Sequence, residues 1–304
     1  MTMLLCIPTL NPGRHAARLV TAIGEQDLRP DQILVIDSGS EDGSLAAFEA
    51  GGASIHRIAK REFSHGGTRQ LAVNLTPGAD IIVFMTQDAL LADRHALRRL
   101  RACFEDEKVG LAYGRQLPRA GASAIEAHAR VFNYPAGESA ARDMSDAPRL
   151  GIKTFFVSNS FAAYRRSALM AVGGFPTHTI LSEDHYVAAK MLLAGWKIVY
   201  RADAHVYHSH AYTAGQDFRR YFDQGVFHGR EPWLRETFGG AGGEGFKFVR
   251  SELRYLLENC TALIPSALLR TAFKLAGFKL GMAERFLPRP MKRALSMHRQ
   301  FWEK

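Results

Sequence analysis

Asp88 closes the stretch Asp80-Ile-Ile-Val-Phe-Met-Thr-Gln-Asp88. Its apolar run, Ile81 to Met85, is rich in β-branched residues and reads as a strand buried on both faces. A carboxylate just past the carboxyl end of such a strand stands where open α/β sheets bind their ligands. Asp88 is therefore a candidate metal ligand for a nucleoside diphosphate, against the plainer role of capping a turn or helix. Two further strand ends, Thr9-Leu10-Asn11 and Asp37, bring polar groups to the same edge. Asp37 is placed to accept from a base N–H or a ribose hydroxyl, or to cap the loop that follows. Phe63-Ser-His-Gly-Gly-Thr-Arg69 reads as a glycine loop opening a helix. There the backbone N–H groups of Gly66 and Gly67 and the Arg69 guanidinium suit a phosphate or ribose. This loop is not a Gly-x-Gly-x-x-Gly, and no Gly-Lys-Ser/Thr occurs in the chain, so neither a dinucleotide fingerprint here nor a P-loop is favoured.

Ser182-Glu183-Asp184-His185 starts a helix. An acidic pair there serves capping and the helix dipole. A carboxylate at the mouth of a site also takes a proton from an acceptor hydroxyl. Asp184 fits that role of base, and Glu183 one of binding or orienting. His208 follows 24 residues later, within His205-Val-Tyr-His208-Ser-His210. A carboxylate and a neutral imidazole form a ligand set for Mn²⁺ or Mg²⁺, completed by diphosphate oxygens and water. The alternative is three histidines alternating along an extended segment with no shared task.

The elements that must hold these groups follow a β-α-β-α-β rhythm. Strands are expected at Met3–Ile7, Gln32–Ile36, Ser54–Ile58 and Ile81–Met85, with helices at His15–Ile23, Leu45–Glu49 and from the glycine loop to Asn74. That rhythm predicts a doubly wound parallel sheet. A helix over Asp93–Phe104 and a strand over Val109–Tyr113 continue it. Residues 114–151 are the least regular, with a helical run at Ala122–Phe132 and a charged loop at Glu138–Arg149. An apolar stretch, Phe155–Tyr164, and a helix, Arg165–Val172, come next. The helix Tyr186–Ala194 and the strand Lys197–Tyr200 lead to the histidines. The rest is helical: Gln216–Phe227, a glycine-rich break at Gly239–Gly245, then Phe246–Leu257 and Ser266–Phe286.

With 304 residues the chain can bury one large core or two moderate ones. Its three cysteines have no paired spacing, which argues against a disulfide framework or a zinc site and fits a reducing cytosol. The start MTMLLCIPTLNPGR is not that of a signal peptide, and no apolar run reaches bilayer length. The net charge of +9 is unevenly placed: residues 246–304 hold twelve Lys/Arg against four Asp/Glu, so the first 245 are almost neutral. A negatively charged partner is expected for the tail alone. Its helical mixture of Lys and Arg with Phe, Leu, Ile and Trp suits a surface resting on anionic lipid, or a helical subdomain packed on the rest of the chain or on a second subunit, and both can hold.

Ile-Pro-Thr-Leu-Asn, Val-Ile-Asp-Ser-Gly-Ser-Glu-Asp-Gly-Ser, Phe-Ser-His-Gly-Gly-Thr-Arg, Phe-Met-Thr-Gln-Asp-Ala, Gly-Gly-Phe and Glu-Asp-His occur in that order. In that sequence they resemble the family 2 glycosyltransferases of GT-A fold, from about Met3 to Phe227. Phe-x-His-Gly-Gly-Thr-Arg, Thr-Gln-Asp-Ala, Tyr-Gly-Arg-Gln and Phe-Asn-Tyr-Pro look most like the bacterial rhamnosyltransferases of surface-polysaccharide assembly. The resemblance implies a Rossmann-like α/β domain with a mixed, mainly parallel sheet flanked by helices and a C-terminal helical extension. Residues 1–115 would form the nucleotide-sugar-binding half, 116–227 the acceptor-binding and catalytic half, and 228–304 the basic amphipathic helices. It further implies that Thr9, Asn11 and Asp37 hold the nucleoside, that Gly67 and Arg69 line the ribose and phosphate, and that Gln87 joins the donor site. Asp88 would be the surviving acid of the metal-binding Asp-x-Asp motif, Asp184 the base, and His208 a further ligand for Mn²⁺ or Mg²⁺. Asn159, Glu183 and His185 are candidates for acceptor contact. Two departures stand out: Thr86 replaces one metal-binding carboxylate, and Asp37-Ser38 replaces the usual Asp-Asp.

The expected reaction is a single inverting displacement, with L-rhamnose from dTDP-rhamnose as donor and a glycan or polyprenyl-linked glycan as acceptor. The expected location is the cytoplasm, peripheral on the inner face of the membrane, with homo-oligomerisation through the C-terminal helices as a further association. The rivals are another donor sugar, a hexose or galactofuranose, and a nucleotidyltransferase, which would release pyrophosphate. A nucleic-acid-binding role is disfavoured by the neutral first 245 residues.

Overall fold

A computed structural model describes residues 1–240 and 242–303. The first half runs β1 (Met3–Thr9), α1 (Arg14–Gly24), β2 (Gln32–Asp37), α2 (Leu45–Ala50), β3 (Ser54–Arg57), α3 (His65–Leu75), β4 (Ile81–Met85), β5 (Leu90–Leu91) and α4 (Ala96–Ala102). Then come β6 (Val109–Leu117), α5 (Ala124–Asn133), β7 (Ala140–Arg142), α6 (Ala147–Leu150), β8 (Phe161–Arg165), α7 (Arg166–Ala171), α8 (Glu183–Leu193) and β9 (Lys197–Tyr207). Helices α9 (Ala214–Arg230), α10 (Pro232–Phe238), α11 (Gly242–Asn259), α12 (Ile264–Met282) and α13 (Arg289–Leu295) finish the chain.

The strands form one sheet in the order β3-β2-β1-β4-β8-β6-β9-β5, with β7 also on β9. From β3 to β4 every pairing is parallel, as the alternating pattern predicts. Beyond β4 the sheet is mixed. β8 enters antiparallel between β4 and β6, while β6 and β9 pair in parallel. The expected division at residue 115 falls inside β6, so one sheet serves both halves.

Strand alternation builds two cores. Leu4, Cys6, Ile82 and Phe84 point to one face, where α3, α7, α8 and α9 supply Val73, Leu169, Met191 and Phe222. Met3, Leu5, Ile7, Ile81, Val83 and Met85 point to the other, against Leu19 of α1, Phe48 of α2 and Leu97 of α4. Each such fully buried side chain contributes about 1.5–3 kcal/mol over its exposed state. A sheet covered on both sides explains why β1 and β4 read as unbroken apolar runs.

Three local expectations change. The strand at Lys197–Tyr200 continues through the first histidine as one element, β9, with a register shift that skips Ala202–Ala204 opposite Gly114 and Arg115. The glycine loop is a helix start: Gly66 and Gly67 lie in the first turn of α3, capped by the Ser64 side chain. Helices α10 and α13 appear where none was expected, and α11 begins at Gly242, inside the supposed glycine break, of which Ala241 lies outside the described residues.

The C-terminal helices are packed on the domain. Cβ atoms built on Gly277 and Gly281 of α12 would fall 2.3 and 2.0 Å from the carbonyl oxygens of Phe218 and Phe222 in α9. Only glycine permits that backbone-to-backbone approach. Past α13 the chain returns over the amino end of α3. Asp223 Oδ2 accepts from the N–H groups of Met297 and His298 at 2.9 and 3.1 Å, and the His298 ring meets that of His65 at 4.7 Å.

Candidate active site

The carboxyl ends of β1, β2 and β4 lie side by side, with Thr9 in register with Asp37. The turn after β4 delivers Asp88. Residues 208–210, just past β9, arrive beside it because β9 pairs with β6 and with the short β5. His208 Nε2 lies 3.5 Å from Asp88 Oδ1, and His210 Nδ1 lies 3.8 Å from Oδ2. Among the described residues, Asp88, His208 and His210 form a cluster whose ligand atoms all lie within 4.8 Å of one another.

Each member is tuned for this. His208 is buried, and its Nδ1–H donates to Gln116 Oε1 at 2.9 Å, which fixes the tautomer that leaves the Nε2 lone pair facing Asp88. Burial disfavours the imidazolium of His208, and with the nearby His208 ring it takes His210 down to about 3. Burial also opposes the charge on Asp88, but the positive charge that His208 and His210 carry when protonated outweighs that and holds the carboxyl well below its ordinary range. An ionised carboxylate with two neutral imidazoles is the donor set that Mn²⁺ and its neighbours accept. The fit is therefore chemical as well as geometric.

Arg119, two residues past β6, completes the surroundings. Its Nη2 donates to Asp88 Oδ2 at 2.9 Å and to the Asp88 carbonyl, and its own N–H reaches Ser209 Oγ at 3.4 Å. Arg130 of α5 donates to the same Gln116 oxygen that His208 uses.

Asp184 belongs to this edge through a chain of bonds. Gln116 Nε2 donates to Ser158 Oγ at 2.9 Å, and the next residue, Asn159, gives its N–H to Asp184 Oδ2 at 3.1 Å. The His185 N–H bonds Oδ1 at 2.9 Å, leaving further lone pairs on a half-buried carboxylate. Burial and the adjacent Glu183 charge raise its pKa, which strengthens it as a base.

Several residues expected to touch substrate instead build the frame. Thr9 Oγ1 donates to Gln87 Oε1 at 2.8 Å, and the Gln87 amide also exchanges bonds with the Leu10 backbone at 2.7 and 3.0 Å. The pair clips β1 to β4. Asp37, 1% exposed, accepts from the N–H groups of Gly39 and Ser40 and from the Ser40 hydroxyl, so its carboxylate caps the turn. Asn11 remains exposed, at φ +46°, although its Oδ1 takes the Glu41 N–H. The Gly67 N–H is taken by Ser64 Oγ at 3.2 Å, not left open to a phosphate. Arg69 is buried against Glu183, Nη1 to Oε1 at 3.0 Å. Asn159 spends its amide on Glu183 at 2.9 Å and on the Tyr164 hydroxyl at 2.7 Å. His185 approaches the Val157 carbonyl at 3.2 Å and packs on Phe155 and Phe156. Asn159 and Glu183 thus form a buried scaffold beside Asp184, with the half-buried His185 packed next to it.

The family model described as Glycosyl transferase family 2 matches residues 4–173, more than half of the chain. The chain belongs to glycosyltransferase family 2. This family 2 glycosyltransferase is similar to the O-antigen chain rhamnosyltransferase RfbN of Salmonella typhimurium, 48% identical over 303 residues, 99% of this chain and 96% of that protein. The O-antigen chain rhamnosyltransferase WbaN of Salmonella anatum is 46% identical over 299 residues, 98% and 95% of the two chains. Among solved structures, the mannosyltransferase PcManGT from Pyrobaculum calidifontis in complex with GDP-Man and Mn²⁺ superposes at a TM-score of 0.56. That match covers 98% of this chain and 84% of that one at 18% identity, a likeness of fold that assigns the GT-A architecture to this glycosyltransferase.

The sequence reading missed His210, Arg119, Gln116 and Ser158. His210 had a signal, since residues 208 and 210 share one side of an extended segment. Gln116 had one as well, as the last residue of Tyr-Gly-Arg-Gln, whereas Arg119 had none beyond lying near the end of a strand.

Proposed function

We propose that this chain is an inverting rhamnosyltransferase of O-antigen synthesis, moving L-rhamnose from dTDP-rhamnose to a glycan or lipid-linked glycan acceptor. The observation that carries it is the path from the Asp88, His208 and His210 cluster through hydrogen bonds of Gln116 to His208 and to Ser158, whose chain neighbour Asn159 gives its N–H to Asp184. The near full-length similarity to two O-antigen rhamnosyltransferases supports the sugar and the pathway. In the reaction Asp184 takes the proton of an acceptor hydroxyl, and the oxygen forms a bond to the anomeric carbon. The bond from that carbon to the diphosphate breaks, and dTDP leaves with the electron pair. Asp88, His208 and His210 would hold Mn²⁺ or Mg²⁺, which supplies positive charge where the leaving group gains negative charge. Thr9, Gln87 and Asp37 shape the donor edge through the backbone they lock, and Asn11 lies there in solvent.

The test is to incubate the full chain with Mn²⁺, dTDP-rhamnose or other nucleotide sugars, and lipid-linked glycan, and to measure released nucleotide and pyrophosphate. Free dTDP with Asp184→Asn lowering turnover by at least about a thousandfold while still binding dTDP supports the reading. Pyrophosphate release, or turnover by Asp184→Asn at the wild-type rate, refutes it.

The same reading includes peripheral contact with an anionic membrane. Phe246, Leu257 and Phe286 are 72%, 64% and 74% exposed, and Leu268, Leu269 and Leu275 of α12 also face solvent. Exposed Lys247, Arg250, Arg254, Lys279 and Arg285 lie among them. Apolar and cationic side chains interleaved on one surface suit acyl chains and anionic headgroups together. No helix among the described residues is long and apolar enough to cross a membrane.

A further inference from the structure

We infer that Arg119 is an exchangeable counter-cation of Asp88, which makes metal binding conditional on the donor and then moves to the donor's diphosphate. This rests on the reading of Asp88, His208 and His210 as metal ligands. Oδ2 of Asp88 has two neighbours of different kinds, the His210 ring at 3.8 Å and the Arg119 guanidinium at 2.9 Å. A divalent ion among the three ligands would sit within a few ångströms of that guanidinium, where like charges repel strongly. The guanidinium can swing away but not leave. Its backbone is tied to Ser209, between the two histidines, and its side chain is one-third exposed.

Formal charge explains why the exchange needs the donor. Asp88 and Arg119 together are neutral. An added divalent ion leaves two positive charges uncompensated in a partly buried site, because the second acid of the motif is Thr86 here. The diphosphate of a nucleotide sugar brings two negative charges and restores neutrality. Oxygens of that diphosphate also offer the guanidinium a bidentate partner in place of Oδ2. Arg119 thus acts on the metal through Asp88 before the donor binds, and on the leaving group afterwards.

The experiment measures Mn²⁺ binding to the full chain by calorimetry, with and without dTDP as probe. Arg119→Met and Arg119→Gln are compared with wild type, Arg119→Lys and Asp88→Ala, and circular dichroism confirms folding. Removing the competing cation should tighten Mn²⁺ binding without dTDP by about tenfold, while dTDP binding in saturating Mn²⁺ weakens by about tenfold, each the size of one charge-assisted hydrogen bond. Arg119→Lys should keep the wild-type order. Unchanged or weaker Mn²⁺ binding in both neutral variants, with Asp88→Ala abolishing it, overturns the role of Arg119 and leaves the metal site standing. Mn²⁺ binding that is absent in wild type even with dTDP present, or indifferent to Asp88→Ala, overturns both.

Discussion

Two histidines of the same segment have opposite surroundings. His210 turns to Asp88, whereas His205 turns to Asp93, with Nδ1 3.7 Å from Oδ2. His210→Ala should therefore weaken metal-dependent dTDP binding by about tenfold or more, the usual size of a lost ligand-sphere contact, and His205→Ala should leave it unchanged. Titrating dTDP into each variant with and without Mn²⁺ decides it; equal losses in both would mean the segment matters only for packing. That Asp88 and His208 come together was readable from the sequence, because the ends of strands converge on one edge whatever the details. The roles of Thr9, Asp37, Gln87, Arg69 and Asn159 were not. A polar side chain at that edge can turn to the ligand or to a neighbouring backbone, and composition does not record which. Gln87 bonds Leu10 across the gap between two strands, a partner visible only once β1 and β4 lie together.

The alternation of strands and helices revealed β1 to β4 and their parallel pairing. It could not reveal that β8 runs the other way, since an apolar run has the same pattern in both directions. Nor could it show β9 as one strand: its buried positions alternate without a break from Ile198 to Val206, but in the middle they are only Ala202 and Ala204, flanked by Arg201 and Asp203. The return of the C-terminal segment was likewise hidden, for its anchor is one buried carboxylate on α9. Burial pushes the Asp223 carboxyl up to about 6. A raised value means that the folded chain holds the proton more tightly than the unfolded one. Asp223 therefore contributes its full stabilisation below the ordinary aspartate range and loses it as pH rises through about 6, a change on the order of 3 kcal/mol. Asparagine keeps an acceptor for the Met297 and His298 N–H groups without the charge. Asp223→Asn should narrow the difference between urea midpoints measured at pH 4.5 and pH 8 and be the more stable chain at pH 8. An identical difference in the two proteins would show that Asp223 does not carry this dependence.

The uneven charge of the sequence maps onto a real surface. The tail was expected either to rest on lipid or to pack on the domain, and the glycine contacts of α12 with α9 establish the packing. What faces outward is a mixture of exposed apolar and basic side chains on α11 and α12. Because α12 is fused so closely to α9, deleting the tail would expose Phe218 and Phe222 and confound any binding assay. Point changes are cleaner. Phe246→Glu combined with Phe286→Glu should reduce flotation with phosphatidylglycerol vesicles by several-fold while leaving release of dTDP from dTDP-rhamnose in the presence of a soluble acceptor unchanged. Undiminished flotation of the double variant would remove this face as the lipid contact, and a shift in sedimentation instead would identify a second copy as its partner.

The long sequence separation inside the metal cluster bears on biosynthesis. When β1 to β4 have emerged from the ribosome, the parallel half of the sheet can pair, yet Asp88 still lacks both imidazoles, which lie 120 and 122 residues further on. His65 waits longer still, for residue 298. Such distant closures form late in folding. A nascent or truncated chain that stops before residue 208 would therefore lack two of the three side chains of the proposed metal site.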